Sequence, residues 1–302
     1  NFGPDITAYR NGVFLDKNSS ARAGTSFAAL NKERTISYTL DHLLFYNKTV
    51  GDHNFGLTLL QSQTQYNNEE SAMSAAAIPN AANKWNALTP SNVTLANYSS
   101  NITETGLLSY MARVNYGYAD KYLLTASGRY DGASQLAPGN KWGFFPSVSA
   151  GWRISKENFF HVNGISDLKL RFSHGTLGNA NIGNWDYSAI LNSFPIAVFG
   201  NNQHLNTGMT QIKLVNQDLK WEKKTQDNFG FDIAFLQNKL QFSAEYFIST
   251  TEDVLTPMQI LMTTGNDGGN PYVNAASLRN RGIEISGNWK DKLLFYNGGE
   301  YQ

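Results

Sequence analysis

The feature that most limits what this chain can fold into is a period of two, held through long segments with charge on one face only. Leu168, Leu170 and Phe172 alternate with Lys169, Arg171 and Ser173. Tyr122, Leu124, Ala126, Gly128 and Tyr130 alternate with Leu123, Thr125, Ser127 and Arg129. Pro146, Val148, Ala150, Trp152 and Ile154 oppose Ser147, Ser149, Gly151 and Arg153. The same pattern runs through Phe229–Phe235, Leu240–Ile248 and Ile283–Trp289. Apolar residues recurring every second position specify β-strands and exclude amphipathic helices. Adding Thr35–Tyr46, Asn54–Tyr66, Glu104–Tyr118 and Leu293–Gln302 gives about ten strands. Arg129, Arg153, Lys169, Arg171, Asp232, Glu245 and Glu284 fall on the polar face, inside strands. The chain is all-β, and its first 34 residues carry the faintest pattern.

Two architectures give such alternation: a soluble two-sheet sandwich and a transmembrane barrel. Strand length and loop asymmetry favour the barrel. Several segments approach the ~9–11 residues of a tilted membrane strand, beyond the ~5–6 usual in soluble sheets. Tight connections at Ala119-Asp120, Gln237–Lys239 and Lys290-Asp291, with a modest one at Asn47–His53, alternate with long polar stretches. Those stretches are Asn67–Thr103, Gly178–Lys220 and Thr250–Leu278. Short periplasmic turns and long extracellular loops are the barrel pattern. Ser155–Ser166 is long for the periplasmic end, and Asp131–Lys141 short for the outer end. Tyr116, Tyr118, Tyr122, Tyr130, Trp142, Trp152, Trp221 and Trp289 lie near strand ends, where interfacial girdles belong. Glu69–Ala77 reads as a short helix in an outer loop, ended by Pro79.

Composition removes other classes. Lys and Arg together number 24, as do Asp and Glu, so there is no basic excess for nucleic acid. Mean hydropathy is negative, which a barrel tolerates because only alternate residues meet lipid. Cysteine is absent, excluding disulfides and thiolate chemistry. No apolar run reaches the roughly 18 residues of a membrane helix. The chain starts at Asn1 without a basic-then-apolar leader and stops in a strand-like stretch, the expectation for a fragment.

Specific motifs then narrow the class. Arg113-Val-Asn-Tyr116, Asp120-Lys-Tyr-Leu-Leu-Thr125, Arg129-Tyr-Asp-Gly-Ala-Ser134, Pro138-Gly-Asn-Lys-Trp-Gly143 and Phe145-Pro-Ser-Val-Ser-Ala-Gly-Trp-Arg-Ile-Ser155 follow one another. Ser166-Asp-Leu-Lys-Leu-Arg171, Gly178-Asn-Ala-Asn-Ile-Gly-Asn184, Asp218-Leu-Lys-Trp-Glu222 and Arg279-Asn-Arg-Gly-Ile-Glu-Ile285 continue the series, and Tyr38–Asp41 with Tyr46–Thr49 is similar to an earlier hairpin. In this order they resemble the barrel of SusC/RagA-type TonB-dependent transporters of Bacteroidota. The resemblance implies that residues 1–302 form part of an antiparallel transmembrane barrel, 10–12 strands of about 22. It implies a plug domain outside this chain and location in a Gram-negative outer membrane. It implies TonB-dependent import of oligosaccharides or peptides, with a SusD-like surface lipoprotein and the TonB complex as partners. The alternatives are a passive porin and a soluble β-sandwich carbohydrate-binding module.

Chemistry-bearing constellations are sparse. His42, His53, His161, His174 and His204 show no metal-ligand spacing. Ser173-His174 lacks a nucleophile elbow. Gly265–Asn270 lacks both the P-loop lysine and the EF-hand ligand ladder. Neither an enzyme, a metal site nor a cofactor is expected. Asn92-Val-Thr94 and Asn101-Ile-Thr103 are chance sequons. Trp85, Asn179, Asn181, Trp185 and Tyr187 are the candidate substrate contacts, because aromatic faces and amides suit sugar rings and hydroxyls.

Overall fold

The computed structural model describes residues 2–21, 24–78, 81–86, 88, 94–189, 191–192, 196–199, 204–211, 213–261, 263 and 269–290. Its main sheet has ten antiparallel strands. They are β1 (Phe2–Leu15), β2 (Phe27–Val50), β3 (His53–Ala76), β4 (Thr94–Tyr118), β5 (Tyr122–Ala133), β6 (Trp142–Arg153), β7 (Ile165–Asn179), β12 (Glu222–Phe235), β13 (Leu240–Pro257) and β14 (Tyr272–Trp289). Four short strands, β8 (Leu191–Asn192), β9 (Ile196–Phe199), β10 (His204–Thr207) and β11 (Thr210–Gln211), pair as β10-β9 and β11-β8 between β7 and β12. Each strand of the main sheet neighbours the next one in that series, so the sheet is an unbroken meander.

The turns at one end use left-handed backbone, as two-residue hairpins require. Ala119 and Asp120 have φ of 50° and 57°, and Gly51 has 57°. Leu236, Gln237 and Asn238 continue the series at 53°, 56° and 68°. The predicted turn at Lys290-Asp291, the strand Leu293–Gln302, Pro79 and most of Gly265–Asn270 and Asn92–Thr94 lie outside the described residues.

Two expectations are corrected. Glu69–Ala77 is not helical: residues through Ala76 belong to β3. Thr35 there donates to Asn68 Oδ1 at 2.9 Å, and ladder pairing overrides the helix preference of the alanines. Two of the long outer stretches also hold much strand, since β3 reaches Ala76, β4 begins at Thr94, β13 reaches Pro257 and β14 begins at Tyr272. Beyond hydrocarbon neither face must be apolar, so the hydropathy period fades while backbone pairing continues. β1 is faint in the sequence because its alternation is short, running over Phe2, Pro4, Ile6 and Ala8, which pair with Leu40, Tyr38, Ile36 and Arg34.

Contacts divide the chain into two units. The first holds Asn1–His42, Gln61–Ser109 and Gly132–Gln135. One face of its β2–β3 ladder is zipped by Thr39–Thr64 at 3.2 Å and Ser62–Asp41 at 2.6 Å, and Tyr38–Gln65 at 2.6 Å ties the other. A small dry cluster forms where Ala28, Ala75 and Ile78 meet Phe14, Trp85 and Leu88.

The second unit, Leu43–Leu60, Tyr110–Asp131 and Leu136–Gln302, shows the two faces most clearly. On one face the register rows Leu170–Phe231–Ala244–Ile285 and Phe172–Phe229–Tyr246–Ile283 are apolar from end to end. Leu170 is 42% exposed, Phe231 44% and Ile285 76%. Among the described residues no second layer covers them, and the barrel reading takes the place of the sandwich alternative. The next two rows, His174–Asp227–Ile248–Arg281 and Thr176–Thr225–Thr250–Arg279, turn polar and mark the outer edge of the apolar band.

Aromatic stacks mark both edges on neighbouring strands. Tyr118, Tyr122 and Trp152 stack at 6.4 and 6.5 Å, and Tyr110, Trp142 and Tyr130 at 6.4 and 4.7 Å. Tyr122 and Tyr130 are eight residues apart on β5, about 26 Å along the strand at ~3.3 Å per residue, or about 20 Å of height at a ~40° tilt, within the ~25 Å band of a membrane barrel. Trp221 is a correction: it is 6% exposed, donates its indole N–H to the Lys141 carbonyl at 3.0 Å and meets Phe145 edge-on. It packs a core and belongs to no girdle.

Candidate functional site

The face opposite the apolar band is built from small polar side chains. Thr125 donates to Asn115 Oδ1 at 2.9 Å, Ser127 and Ser147 share a 2.7 Å bond, and Asn228 donates to Ser173 Oγ at 3.2 Å. Several charges on this face pair with one another, within a strand or across strands. Arg171 bridges Asp232 at 3.3 Å and Glu245, and also reaches Ser243 at 3.1 Å. Arg153 pairs with Asp120 at 2.6 Å, and Arg129 with Asp131 at 3.1 Å. Gly230 makes room for the guanidinium, since a Cβ there would lie 2.8 Å from Arg171 Cζ. A hollow opens where Thr125, Ser149, Gly151 and Ser173 leave space beside Lys169 and Arg171. Such a wall is wettable and lacks converging acid, base or metal groups. Among the described residues no three His, Asp or Glu side chains stand close enough to hold a metal ion.

The connection between β6 and β7 is tied back by Glu157. Its carboxylate accepts from Tyr122 Oη at 2.6 Å, Lys121 Nζ at 2.9 Å and Trp152 Nε1 at 3.1 Å. These bonds, the Tyr122 hydroxyl foremost, hold the Glu157 pKa down from the usual 4.5 to about 2. A depressed carboxylate pKa gives stability that is complete above 4.5 and lost as pH falls through about 2. Hydrogen exchange of residues 155–164, corrected for intrinsic rates, is therefore expected to stay slow to about pH 4 and rise toward pH 2. Glu157→Gln is expected to exchange fast throughout; equal protection in both proteins contradicts the tether.

The five candidate contacts separate into two places. Trp85 lies in the first unit, half-buried, with its indole against the Gly12 backbone. A Cβ at Gly12 would come within 2.3 Å of that ring, and Lys84 Nζ sits 5.7 Å from its centroid. The other four belong to the second unit, Asn179 as the last residue of β7 and the rest in the connection that follows. Asn179 donates to Glu222 at 3.3 Å, and its Oδ1 accepts the Asn181 N–H at 3.1 Å. Trp185 is 60% exposed, and its ring centroid is 6.1 Å from that of Tyr187. In the same unit Phe145 and Trp221 meet edge-on as a buried floor, and Leu136 and Leu219 are also buried. Phe145 lies over Gly178 so closely that a Cβ there would come within 2.1 Å of the ring. Sequence reasoning missed Asp186, which accepts from the Gly183 N–H and from Lys213 Nζ. A Gly-x-x-Asp spacing was the available signal.

An apolar exposed band edged by aromatics, backed by a polar inner face on an antiparallel meander, defines the wall of an outer-membrane β-barrel. The chain belongs to the family described as "TonB dependent receptor-like, beta-barrel", which it matches over residues 2–302. It lies in the outer membrane of a Gram-negative bacterium, in a family of receptors rather than enzymes. It is 35% identical over 277 residues to TonB-dependent receptor P3 of Formosa agariphila, covering 91% of this chain and 27% of the relative. It is 35% identical over 214 residues to TonB-dependent receptor SusC of Bacteroides thetaiotaomicron, covering 68% of this chain and 21% of the relative. Among solved structures the RagAB peptide transporter superposes with a TM-score of 0.84 at 23% identity, over 98% of this chain and 32% of that one. The likeness carries the fold alone. The chain thus spans about a quarter of the length of the curated relatives it matches.

Proposed function

We propose that this chain is barrel wall of an active importer that carries oligosaccharides across the outer membrane. In this reading a plug domain elsewhere in the protein closes the lumen, TonB supplies the energy, and a SusD-like surface lipoprotein caps the outer mouth. The observation that carries the choice of oligosaccharide is the pairing of exposed Trp185 with half-buried Tyr187 in the same connection as Asn179 and Asn181. Ring faces bury the C–H faces of sugars, and amides exchange hydrogen bonds with hydroxyls. Trp85, packed on Gly12, is secondary among the contacts.

Uptake of fluorescently labelled oligosaccharides by the source bacterium tests the reading. Deleting the full-length gene, or collapsing the proton-motive force, is expected to abolish uptake of at least one glycan. Uptake that survives the uncoupler identifies a passive porin. Loss of peptide uptake with glycan uptake intact assigns the other substrate class.

A further inference from the structure

Trp185 occupies φ +67°, left-handed backbone that bulky aromatic residues rarely adopt. It is also 60% exposed, although an indole gains by burial. Both features are unfavourable locally, and they persist because neighbours enforce them. The turn is closed by the Ser188 N–H donating to the Trp185 carbonyl at 2.8 Å. Asp186, next in the chain, points the other way with only 12% of its side chain exposed. One carboxylate oxygen accepts the Gly183 N–H at 2.8 Å, and the other accepts Lys213 Nζ at 2.7 Å. A Cβ at Gly183 would stand 2.7 Å from Asp186 Oδ2, so a larger residue there would push the carboxylate off its N–H.

We propose that Asp186, clamped by Gly183 and Lys213, is a positioning residue that holds Trp185 and Tyr187 outward as a two-ring face for a neutral sugar ring. This rests on the oligosaccharide reading above. The two rings lie 6.1 Å apart and are inclined by 37°, an open angle rather than a mutual stack. Asp186 and Lys213 neutralise each other, so the turn that carries the rings presents no net charge of its own. Such a ring pair suits an uncharged ligand. The side-chain amide of Asn181, exposed and without a hydrogen bond among the described residues, supplies a donor and an acceptor beside it.

The test is a double-mutant cycle on the full-length receptor in detergent, read by calorimetry. The probe is whichever of α-glucan, β-glucan, mannan and xylan hexasaccharides the wild type binds best. Trp185→Ala is expected to weaken binding about tenfold, and Asp186→Ala nearly as much. On the Trp185→Ala background, Asp186→Ala is expected to add less than about twofold, because it acts through the ring it no longer has to place. Asp186→Asn keeps the acceptor for Gly183 and is expected to recover most of the affinity. Full additivity, or an Asp186→Ala variant that binds like wild type, overturns the positioning role. If Trp185→Ala leaves hexasaccharide binding unchanged, the platform is wrong while oligosaccharide import stands. If no hexasaccharide binds and a tripeptide does, the underlying reading fails instead.

Discussion

Leu170→Arg and Phe231→Arg are each expected to destabilise the receptor by about 2–4 kcal/mol, while Ser173→Arg costs under about 1 kcal/mol. The three positions sit within one small patch of β7 and β12, so the difference isolates the face and not the location. Leu170 and Phe231 are register partners, 42% and 44% exposed, with apolar neighbours in rows above and below. A guanidinium there must enter hydrocarbon or deform the bilayer. Ser173 lies on the opposite face, where it accepts from Asn228 at 3.2 Å beside an open hollow. An arginine at that position stays wet. Denaturant titration of the receptor in phospholipid vesicles, followed by tryptophan fluorescence, measures all three.

Phe145→Ala is expected to cost about 3–5 kcal/mol, the usual range for removing a buried phenyl ring. Phe145 is on the wall's polar face, yet it is only 4% exposed. Its ring packs against the backbone at Gly143 and Gly178, and Trp221 closes over it at 5.2 Å. Deleting the ring leaves a cavity that two glycines cannot fill and frees Trp221 from its edge contact. Red-shifted tryptophan emission should accompany the loss of stability. A variant as stable as wild type would show that the outer floor is held by the strand ladder alone.

How much was legible in the sequence depends on what the membrane demands at each level. Where hydrocarbon touches one face, hydropathy repeats its demand every second residue, and β5, β6, β7, β12, β13 and β14 could be placed within a few positions of their observed cores. Above that level the demand ends. The outer part of β3 and the early part of β4 read as loop, and the alanines after Glu70 read as helix, though backbone pairing carries on through Ala76. Trp221 shared its residue type with the girdle, and only the fold puts it over Phe145. The site was half visible. Trp185 and Tyr187 announce themselves as aromatics in a polar stretch, and their spacing brings them together. The clamp was hidden because Lys213 is 27 residues beyond Asp186, and no local pattern joins them. Arg171 was assigned to the inner face correctly, but its partners Asp232 and Glu245 lie on two other strands.

This chain has no cysteine of its own to compete with a label, so the deciding measurement needs only any cysteines elsewhere in the receptor replaced. Single cysteines at positions 168 to 174, spin-labelled in the receptor reconstituted into lipid, report collision with oxygen dissolved in hydrocarbon and with a water-soluble nickel chelate. Oxygen accessibility should peak at Leu168, Leu170 and Phe172, and chelate accessibility at Lys169, Arg171 and Ser173, with the balance shifting toward chelate at His174. Labels at Leu168, Leu170 and Phe172 shielded from both reagents would mean a dry interior where the account places lipid.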